Sequence, residues 1–222
     1  MTDISCVLFD CDGTLVDSEI LCCEAYVRVF RKYGILLTLE QAIKTFKGVK
    51  LYEIIDRMKA EQGLNQQVDI LEAEYRAEVA QLFDERLVPI DGVRELLQQI
   101  IVPIAVVSNG PVSKMHHSLG LAELLPFFQE HLYSGYDVGR WKPDPAVIYH
   151  AVAELGIPVE RCILVEDSVS GTQAGIAAGI PVFYYCADPH NPPINHPLVT
   201  RFDQMAQLPE LWRQKGWSLT EG

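Results

Sequence analysis

The sequence predicts an α/β protein, built on a doubly wound parallel sheet that carries an inserted all-helical domain. Four short runs are apolar without alternation, as is typical of strands covered on both faces, and they span residues 6–9, 104–107, 162–165 and 182–185. Helical patterns occupy residues 91–100, 111–119, 144–155 and 170–178. Because strands and helices alternate along the chain, we expect a parallel sheet with helices on both of its faces.

Residues 16–88 interrupt this alternation, since they contain only helical signals. Helices are predicted to begin near residues 18, 38, 50 and 71. Thr38 and Gln41 have the spacing of a capping box, in which each side chain accepts a hydrogen bond from the other residue's backbone N–H. Gly63 is expected to end the third helix. We therefore expect two domains, which are a core of residues 1–15 and 89–222 and a helical insert of residues 16–88.

The chain has a net charge of −12 at pH 7, from 18 basic and 30 acidic side chains. This balance argues against binding to nucleic acid or to an anionic membrane, because both partners need a cationic surface. The charge is uneven, since residues 28–59 hold eight basic and three acidic side chains and residues 60–88 hold two basic and seven acidic ones. The insert therefore offers a basic segment that suits a small anionic molecule.

The cysteines and the hydropathy pattern indicate the compartment. Six cysteines are too few for a disulfide framework, and Cys22 and Cys23 are neighbours, so we expect reduced thiols. No basic residue precedes an apolar run near the N-terminus, and no segment reaches the roughly 18 apolar residues of a membrane span. These features predict a cytoplasmic protein. The sequence does not decide the oligomeric state, although a monomer is slightly favoured.

Polar residues follow three of the predicted strands. Residues 10–14 come after the first strand, Ser108 and Asn109 after the second, and Glu166 and Asp167 after the third. In open parallel sheets, ligands bind at the carboxyl ends of the strands. Acidic clusters that converge there would repel each other without a hard divalent cation, and oxygen ligands favour Mg²⁺.

The spacing of Asp10 and Asp12 suggests a mechanism. In extended backbone both side chains point to the same side, and Gly13 permits a sharp turn after them. One carboxylate can then attack phosphorus while the other moves a proton, which is the aspartyl-phosphate route. The incoming phosphate is an anion, so a lysine and Mg²⁺ are expected to offset its charge.

Four separated motifs together resemble those of the haloacid dehalogenase-like phosphohydrolases, which have a Rossmann-like core, and the resemblance covers most of the chain. The motifs are DCDGT at 10–14, SN at 108–109, RWKPDP at 140–145 and EDS at 166–168. The resemblance implies that Asp10 attacks phosphorus and that Asp12 protonates the leaving oxygen and later activates water. It further implies that Ser108 bonds the phosphoryl group and that Lys142 neutralises it and orients Asp10.

The same resemblance implies the metal ligands and the role of the insert. Mg²⁺ would be held by the Asp10 carboxylate, the Asp12 backbone carbonyl and Asp167, with Glu166 either a direct ligand or a support through water. Thr14 and Asn109 are assigned to substrate binding, and Ser108 and Asn109 can also cap the following helix. The insert resembles the mobile cap of the family, which reads the leaving group of the substrate.

Lys44, Lys47 and Lys50 form a short basic segment of the insert without an acidic residue. They are either a solvated charged face or a loop in which Lys47 and Lys50 bind a second anionic group, such as a sugar carboxylate. The stretches 46–50, 107–111 and 186–191 are similar to the branch of the family that acts on 6-phosphogluconate. We therefore expect a Mg²⁺-dependent phosphatase for a small phosphorylated metabolite, either a sugar phosphate or a sugar-acid phosphate. The alternative is a β-phosphoglucomutase-like isomerase.

Overall fold

A computed structural model describes residues 4–47, 49–187 and 191–220. The chain divides into two compact units, Met1–Val16 with Pro89–Gly222 and Asp17–Val88. The first junction falls one residue later than the boundary expected from sequence, because Val16 forms β-bridges with Asp12 and with Pro89. Gly48 and residues 188–190, which belong to two of the stretches compared above, lie outside the described residues.

The first unit contains a six-stranded sheet in which every neighbouring pair of strands is parallel. The strands are β1 (Cys6–Phe9), β2 (Ile104–Ser108), β3 (Leu132–Ser134), β4 (Cys162–Glu166), β5 (Val182–Tyr185) and β6 (Val199–Phe202), in the order β3-β2-β1-β4-β5-β6. This sheet confirms the predicted α/β class. The apolar runs had predicted only β1, β2, β4 and β5. The edge strands β3 and β6 were missed because neither is an unbroken apolar run: β3 has three residues, LYS, and β6, VTRF, carries two polar residues and is only partly buried.

The second unit is formed by four helices, α1 (Glu19–Lys32), α2 (Leu39–Phe46), α3 (Leu51–Gln62) and α4 (Val68–Arg86). The capping box is present, since Gln41 N–H donates to Thr38 Oγ1 at 3.1 Å and Thr38 N–H donates to Gln41 Oε1 at 2.8 Å. Aromatic side chains form much of the interior, with the rings of Tyr26 and Tyr75 stacked at 4.2 Å between centroids. An apolar interior of its own explains why this segment forms a separate unit.

The described part of the first unit contains seven further α-helices: α5 (Val93–Gln99), α6 (Val112–Leu121), α7 (Leu125–Phe128), α8 (Gly135–Val138), α9 (Ala146–Leu155), α10 (Val169–Ala177) and α11 (Leu208–Gln214). Helices cover both faces of β1. Leu8 belongs to an apolar cluster with residues of α9 and α10, while Phe9 on the other face meets Phe128 edge to face at 6.1 Å between centroids. The one-turn helices α7 and α8 have no apolar period that a sequence pattern could detect.

Within the described residues, the helices are all too short or too polar to cross a membrane. The six cysteines are free thiols. Cys11 is buried, and its Sγ lies 3.7 Å from Ser118 Oγ. Burial raises the pKa of Cys11 well above its usual value, with the nearby carboxylates of Asp12 and Asp10 adding to the effect. This thiol therefore stays protonated and acts as a packing residue.

Candidate active site

The polar residues that follow β1, β2 and β4 meet at the carboxyl edge of the sheet, because β1 lies between β2 and β4. Asp10 follows β1 directly, and its backbone N–H donates to Val165 O at 2.9 Å, so the strand geometry extends to the residue that carries the carboxylate. The side chain of Asp10 is buried. The sheet itself thus determines the direction in which this carboxylate points.

Lys142 is the centre of a buried charge cluster. Only 2 % of it is exposed, and Nζ donates to Asp10 Oδ1 at 2.5 Å, to Glu166 Oε2 at 2.7 Å and to Val107 O at 3.0 Å. An ammonium group has three protons, so each of them has an acceptor. The cluster joins the loop before α9 to β2, to β4 and to the residue that follows β1.

Burial and charge set the protonation of this cluster. Burial and the neighbouring Glu166 carboxylate raise the pKa of Asp10 to about 7, although Lys142 opposes the shift. Burial by itself would lower the pKa of Lys142, but the two carboxylates outweigh it and raise that pKa above its ordinary value. Lys142 therefore remains a cation, and Asp10 is the group whose charge responds to conditions near neutral pH.

The carboxylate of Glu166 is held on every side. Oε1 accepts hydrogen bonds from the backbone N–H groups of Asp167 at 3.1 Å and Ser168 at 2.9 Å, while Oε2 accepts from Lys142. A Cβ at Gly171 of α10 would lie 1.7 Å from Oε2, so only a residue without a side chain leaves room for this carboxylate. Gly171 was missed by the sequence reasoning, which considered only residues that directly follow strands.

Asp167 lies beside this cluster and is oriented by the first loop. Thr14, which was assigned from sequence to substrate binding, is buried, and its hydroxyl donates to Asp167 Oδ1 at 3.0 Å. Gly13 has φ +80°, and a Cβ there would lie 2.2 Å from Asp167 Oδ2. Carboxylate oxygens of Asp10, Glu166 and Asp167 lie within 4.8 Å of one another, which suits a hard metal ion with oxygen ligands.

Ser108 and Asn109 follow β2 and have different surroundings. Ser108 is buried, and its Oγ accepts from Gly110 N–H at 3.0 Å. The Asn109 side chain forms two hydrogen bonds with the backbone of Lys142, one from Lys142 N–H to Oδ1 at 2.7 Å and one from Nδ2 to Lys142 O at 3.2 Å. Asn109, assigned from sequence to substrate binding, thus contacts the segment that carries the buried lysine.

Asp12 is more accessible than Asp10, with 27 % of its side chain exposed. Its Oδ2 accepts a hydrogen bond from Lys114 Nζ at 2.7 Å. Lys114 also went unnoticed in the sequence, because it lies in the first turn of α6 rather than at the end of a strand. A useful signal would have been that the helix following β2 begins at the same edge of the sheet.

Lys47 and Lys50 belong to the helical unit. Lys47 Nζ forms an ion pair with Glu19 at 2.9 Å, and Lys50 Nζ lies 3.9 Å from a carboxylate oxygen of Glu53. Both side chains of the second pair are largely exposed, so solvent screens their attraction strongly. Of the two lysines, Lys47 is the more firmly placed.

Comparison with known proteins agrees with this arrangement. The model of the family described as haloacid dehalogenase-like hydrolase matches residues 7–185. The chain is 55 % identical to 6-phosphogluconate phosphatase of Escherichia coli (strain K12) over 220 residues, which are 99 % of this chain and 100 % of the relative. It is 35 % identical to validoxylamine A 7'-phosphate phosphatase of Streptomyces hygroscopicus subsp. limoneus, over 78 % of this chain and 81 % of that protein.

A solved structure shares the fold. It is a conserved haloacid dehalogenase-like protein of unknown function from Agrobacterium tumefaciens, with a TM-score of 0.79 and 26 % identity over 96 % of this chain and 99 % of that one. The family match spans all the motifs in the first unit that carry the buried charges. The sequence, the sheet and the acidic cluster all lead to one conclusion: the chain belongs to the haloacid dehalogenase-like hydrolases.

Proposed function

We propose that the protein is a Mg²⁺-dependent phosphatase that hydrolyses a sugar-acid phosphate such as 6-phosphogluconate through an aspartyl-phosphate intermediate. The observation that carries this proposal is the buried contact of Lys142 Nζ with Asp10 Oδ1 at 2.5 Å, beside the carboxylates of Glu166 and Asp167. A buried aspartate held by a lysine next to a metal-binding cluster is what a carboxylate nucleophile for a phosphate ester requires. The near-complete match to a 6-phosphogluconate phosphatase supports the substrate class.

In the first step the phosphoryl group moves from the substrate to the protein. A carboxylate oxygen of Asp10 forms a bond to phosphorus while the bond from phosphorus to the ester oxygen breaks. The electron pair of the broken bond stays on the leaving oxygen, which takes a proton from the Asp12 carboxyl. Lys142 holds the attacking carboxylate in place and offsets negative charge as the phosphoryl group arrives.

In the second step water releases the phosphoryl group. The water oxygen bonds to phosphorus and gives a proton to the Asp12 carboxylate, while the bond from phosphorus to the Asp10 oxygen breaks and its electron pair returns to Asp10. Inorganic phosphate leaves, and Asp12 again carries the proton needed for the next substrate. Asp12 suits this double role because its carboxylate is partly accessible, whereas that of Asp10 is buried.

The carboxylates at this edge fit a divalent cation, since their oxygens cluster and are hard ligands. We assign the ligands to the Asp10 carboxylate, the Asp12 backbone carbonyl and Asp167. Glu166 is better suited to support than to direct ligation, because two backbone N–H groups and Lys142 already engage its oxygens. When bound, Mg²⁺ would supply positive charge that lowers the repulsion between the phosphate and these carboxylates.

Three polar side chains support the site in this proposal. Ser108 donates its hydroxyl proton to the phosphoryl group, since its Oγ already accepts from Gly110 N–H and still has a proton to donate. Thr14 orients Asp167, and Asn109 orients Lys142, through the contacts described above. The assignment of Thr14 and Asn109 to substrate binding is retained, since Asn109 Nδ2 has a second proton that it can donate.

The lysines of the helical unit are assigned to the part of the substrate that does not react. Lys47 and Lys50 would recognise the carboxylate of a sugar acid, consistent with the basic character of residues 28–59. The ion pair of Lys47 with Glu19 limits the freedom of its side chain. This assignment explains how an acidic protein can select an anionic substrate.

A screen for phosphate release tests the proposal. The protein would be incubated with 6-phosphogluconate, with hexose phosphates that lack a carboxylate and with phosphoglycolate. Each incubation would be done in Mg²⁺ and in excess chelator. We expect hydrolysis of 6-phosphogluconate with the highest kcat/KM and no activity in chelator. Release from no substrate would contradict the phosphatase assignment, and formation of an isomerised sugar phosphate without free phosphate would favour a mutase instead.

A further inference from the structure

The contact between Lys114 and Asp12 is not used by the steps described above. Lys114 Nζ lies 2.7 Å from Asp12 Oδ2, and the two side chains are 23 % and 27 % exposed. They are separated by 102 positions in sequence. Since the pair is partly shielded from water and its distance is that of a charge-assisted hydrogen bond, it is stronger than an ordinary surface ion pair.

The first turn of α6 is built closely against Asp12. A Cβ at Gly110 would lie 3.6 Å from Asp12 Oδ2, 3.6 Å from Lys114 Cδ and 3.5 Å from Ser108 Oγ. Gly110 precedes α6 and accordingly borders both partners of the pair. The ammonium group of Lys114 is therefore presented by a helix that begins immediately after β2, rather than by a loose surface loop.

The charges around Asp12 explain why this contact matters. Asp10, Glu166 and Asp167 also carry carboxylates at this edge, and Lys142 is engaged by Asp10 and Glu166. Without Lys114, the Asp12 carboxylate would face these acids with less compensation, and rotation about its side-chain bonds would be favoured. A carboxylate that transfers protons must be held within hydrogen-bond reach of its partner atoms.

We propose that Lys114 is a positioning residue for the proton transfers of Asp12. It does not touch the reacting phosphorus but fixes the Asp12 side chain through Oδ2, which leaves Oδ1 to give a proton to the leaving oxygen and then to accept one from water. This inference rests on the proposed phosphatase function. It assigns to Lys114 an effect on the chemical steps rather than on substrate binding.

The dependence on the leaving group tests this role. The variants Lys114→Met and Lys114→Arg would be compared with the unaltered protein on 6-phosphogluconate, whose alkoxide needs a proton, and on p-nitrophenyl phosphate, whose phenolate leaves without one. For Lys114→Met we expect kcat on 6-phosphogluconate to fall by about 10- to 100-fold, a part of the usual contribution of a general acid or base. KM should change by less than about threefold, because ground-state binding is retained.

With p-nitrophenyl phosphate, the rate of the first step in Lys114→Met should stay within about threefold of that in the unaltered protein, since good leaving groups gain little from a general acid. Slow water activation should then appear as a burst of p-nitrophenolate before the steady state. Lys114→Arg should recover most of the lost kcat. Lys215→Met, which removes a lysine that contacts Phe183 and Trp217, controls for the change in net charge.

A first-step rate on p-nitrophenyl phosphate that falls as much as kcat on 6-phosphogluconate, with no burst of p-nitrophenolate and with or without a lower Tm, would overturn the positioning role. An unchanged kcat on 6-phosphogluconate would also overturn it. Failure of the proposed function itself would be seen separately, as an unaltered protein that releases phosphate from neither substrate in Mg²⁺.

Discussion

Asn109 forms two hydrogen bonds with the backbone of Lys142, a residue 33 positions away. Lys142 N–H donates to Oδ1 at 2.7 Å, and Nδ2 donates to Lys142 O at 3.2 Å. The ammonium group of the same lysine donates to Val107 O at 3.0 Å. Both ends of Lys142 are thereby attached to β2 and the residue that follows it, so the end of one strand positions the buried cation of the neighbouring loop.

Removal of this attachment should lower activity. In Asn109→Ala the loop before α9 loses both hydrogen bonds, and we expect kcat to fall by about tenfold or more, because small misplacements of catalytic groups are costly. The Tm should also fall, since the backbone groups of Lys142 lose their partners. Phosphate release and thermal unfolding would measure the two effects. Asn109→Asp keeps the acceptor for Lys142 N–H but places a carboxylate oxygen against Lys142 O, so it should not restore activity. Full activity in Asn109→Ala would contradict the role.

A second prediction concerns the close approach of Gly171 to the Glu166 carboxylate. In Gly171→Ala the new Cβ would lie 1.7 Å from Glu166 Oε2, so the carboxylate must move away from Lys142. We expect a clear loss of kcat and a destabilisation of about 1–3 kcal/mol, measured by denaturant unfolding. Gly120→Ala in α6, where nothing lies within 4 Å, is the matched control and should be neutral or slightly stabilising. Normal activity of Gly171→Ala would show that this contact is unimportant.

Binding of Mg²⁺ should depend on pH through Asp10. The pKa of this carboxyl is raised to about 7, first by burial and then by Glu166, and a metal ion binds the ionised form. As pH falls below that value, protons occupy the ligand, so the Kd for Mg²⁺ should rise between about pH 8 and about pH 6, by up to tenfold per unit. Calorimetric titration at several pH values measures this dependence.

Two variants distinguish the side-chain ligand, Asp10, from the backbone ligand, Asp12. Asp10→Asn should bind Mg²⁺ weakly and without this pH dependence, because the titrating group is absent. Asp12→Asn should bind nearly normally, since the proposed contribution of Asp12 is its backbone carbonyl. An affinity for Mg²⁺ that is constant with pH in the unaltered protein would exclude Asp10 as the titrating ligand.

The nucleophile can be tested directly. Asp10→Asn keeps the size of the side chain but removes the attacking oxygen anion, so turnover should fall below about 1 % of the original rate. The far-UV circular dichroism spectrum should be unchanged, because the sheet contacts of the backbone remain. Phosphatase activity well above this level in a folded variant would exclude the aspartyl-phosphate route.

Substrate selection is expected to depend on the helical unit. Lys50→Ala should raise KM for 6-phosphogluconate by about threefold or more and leave KM for glucose 6-phosphate nearly unchanged, because only the first carries a carboxylate. Lys47→Ala should act in the same direction, with an added effect from the unpaired Glu19. Lys32→Ala, which breaks an ion pair with Glu78 in the same unit, is the control. Equal changes in KM for both substrates would indicate that these lysines are solvated surface charges.

The central strands, the helical insert and the principal acidic residues could be predicted because each depends on neighbours in sequence. An unbroken apolar run such as residues 6–9 has to be covered on both faces, and Thr38 with Gln41 caps a helix through local hydrogen bonds. Asp10 and Asp12 were recognisable because their spacing in an extended segment determines the side to which they point.

The tertiary structure alone decided the partners of these residues. Lys114 and Gly171 carry no distinctive local pattern, since their importance comes from atoms that other strands bring near them, Asp12 Oδ2 for one and Glu166 Oε2 for the other. Sequence patterns report the backbone that a segment prefers and the face that it buries. Contacts between distant segments depend on strand order and helix placement, so the chemistry of each residue was visible in the sequence but the residue that it acts upon was not.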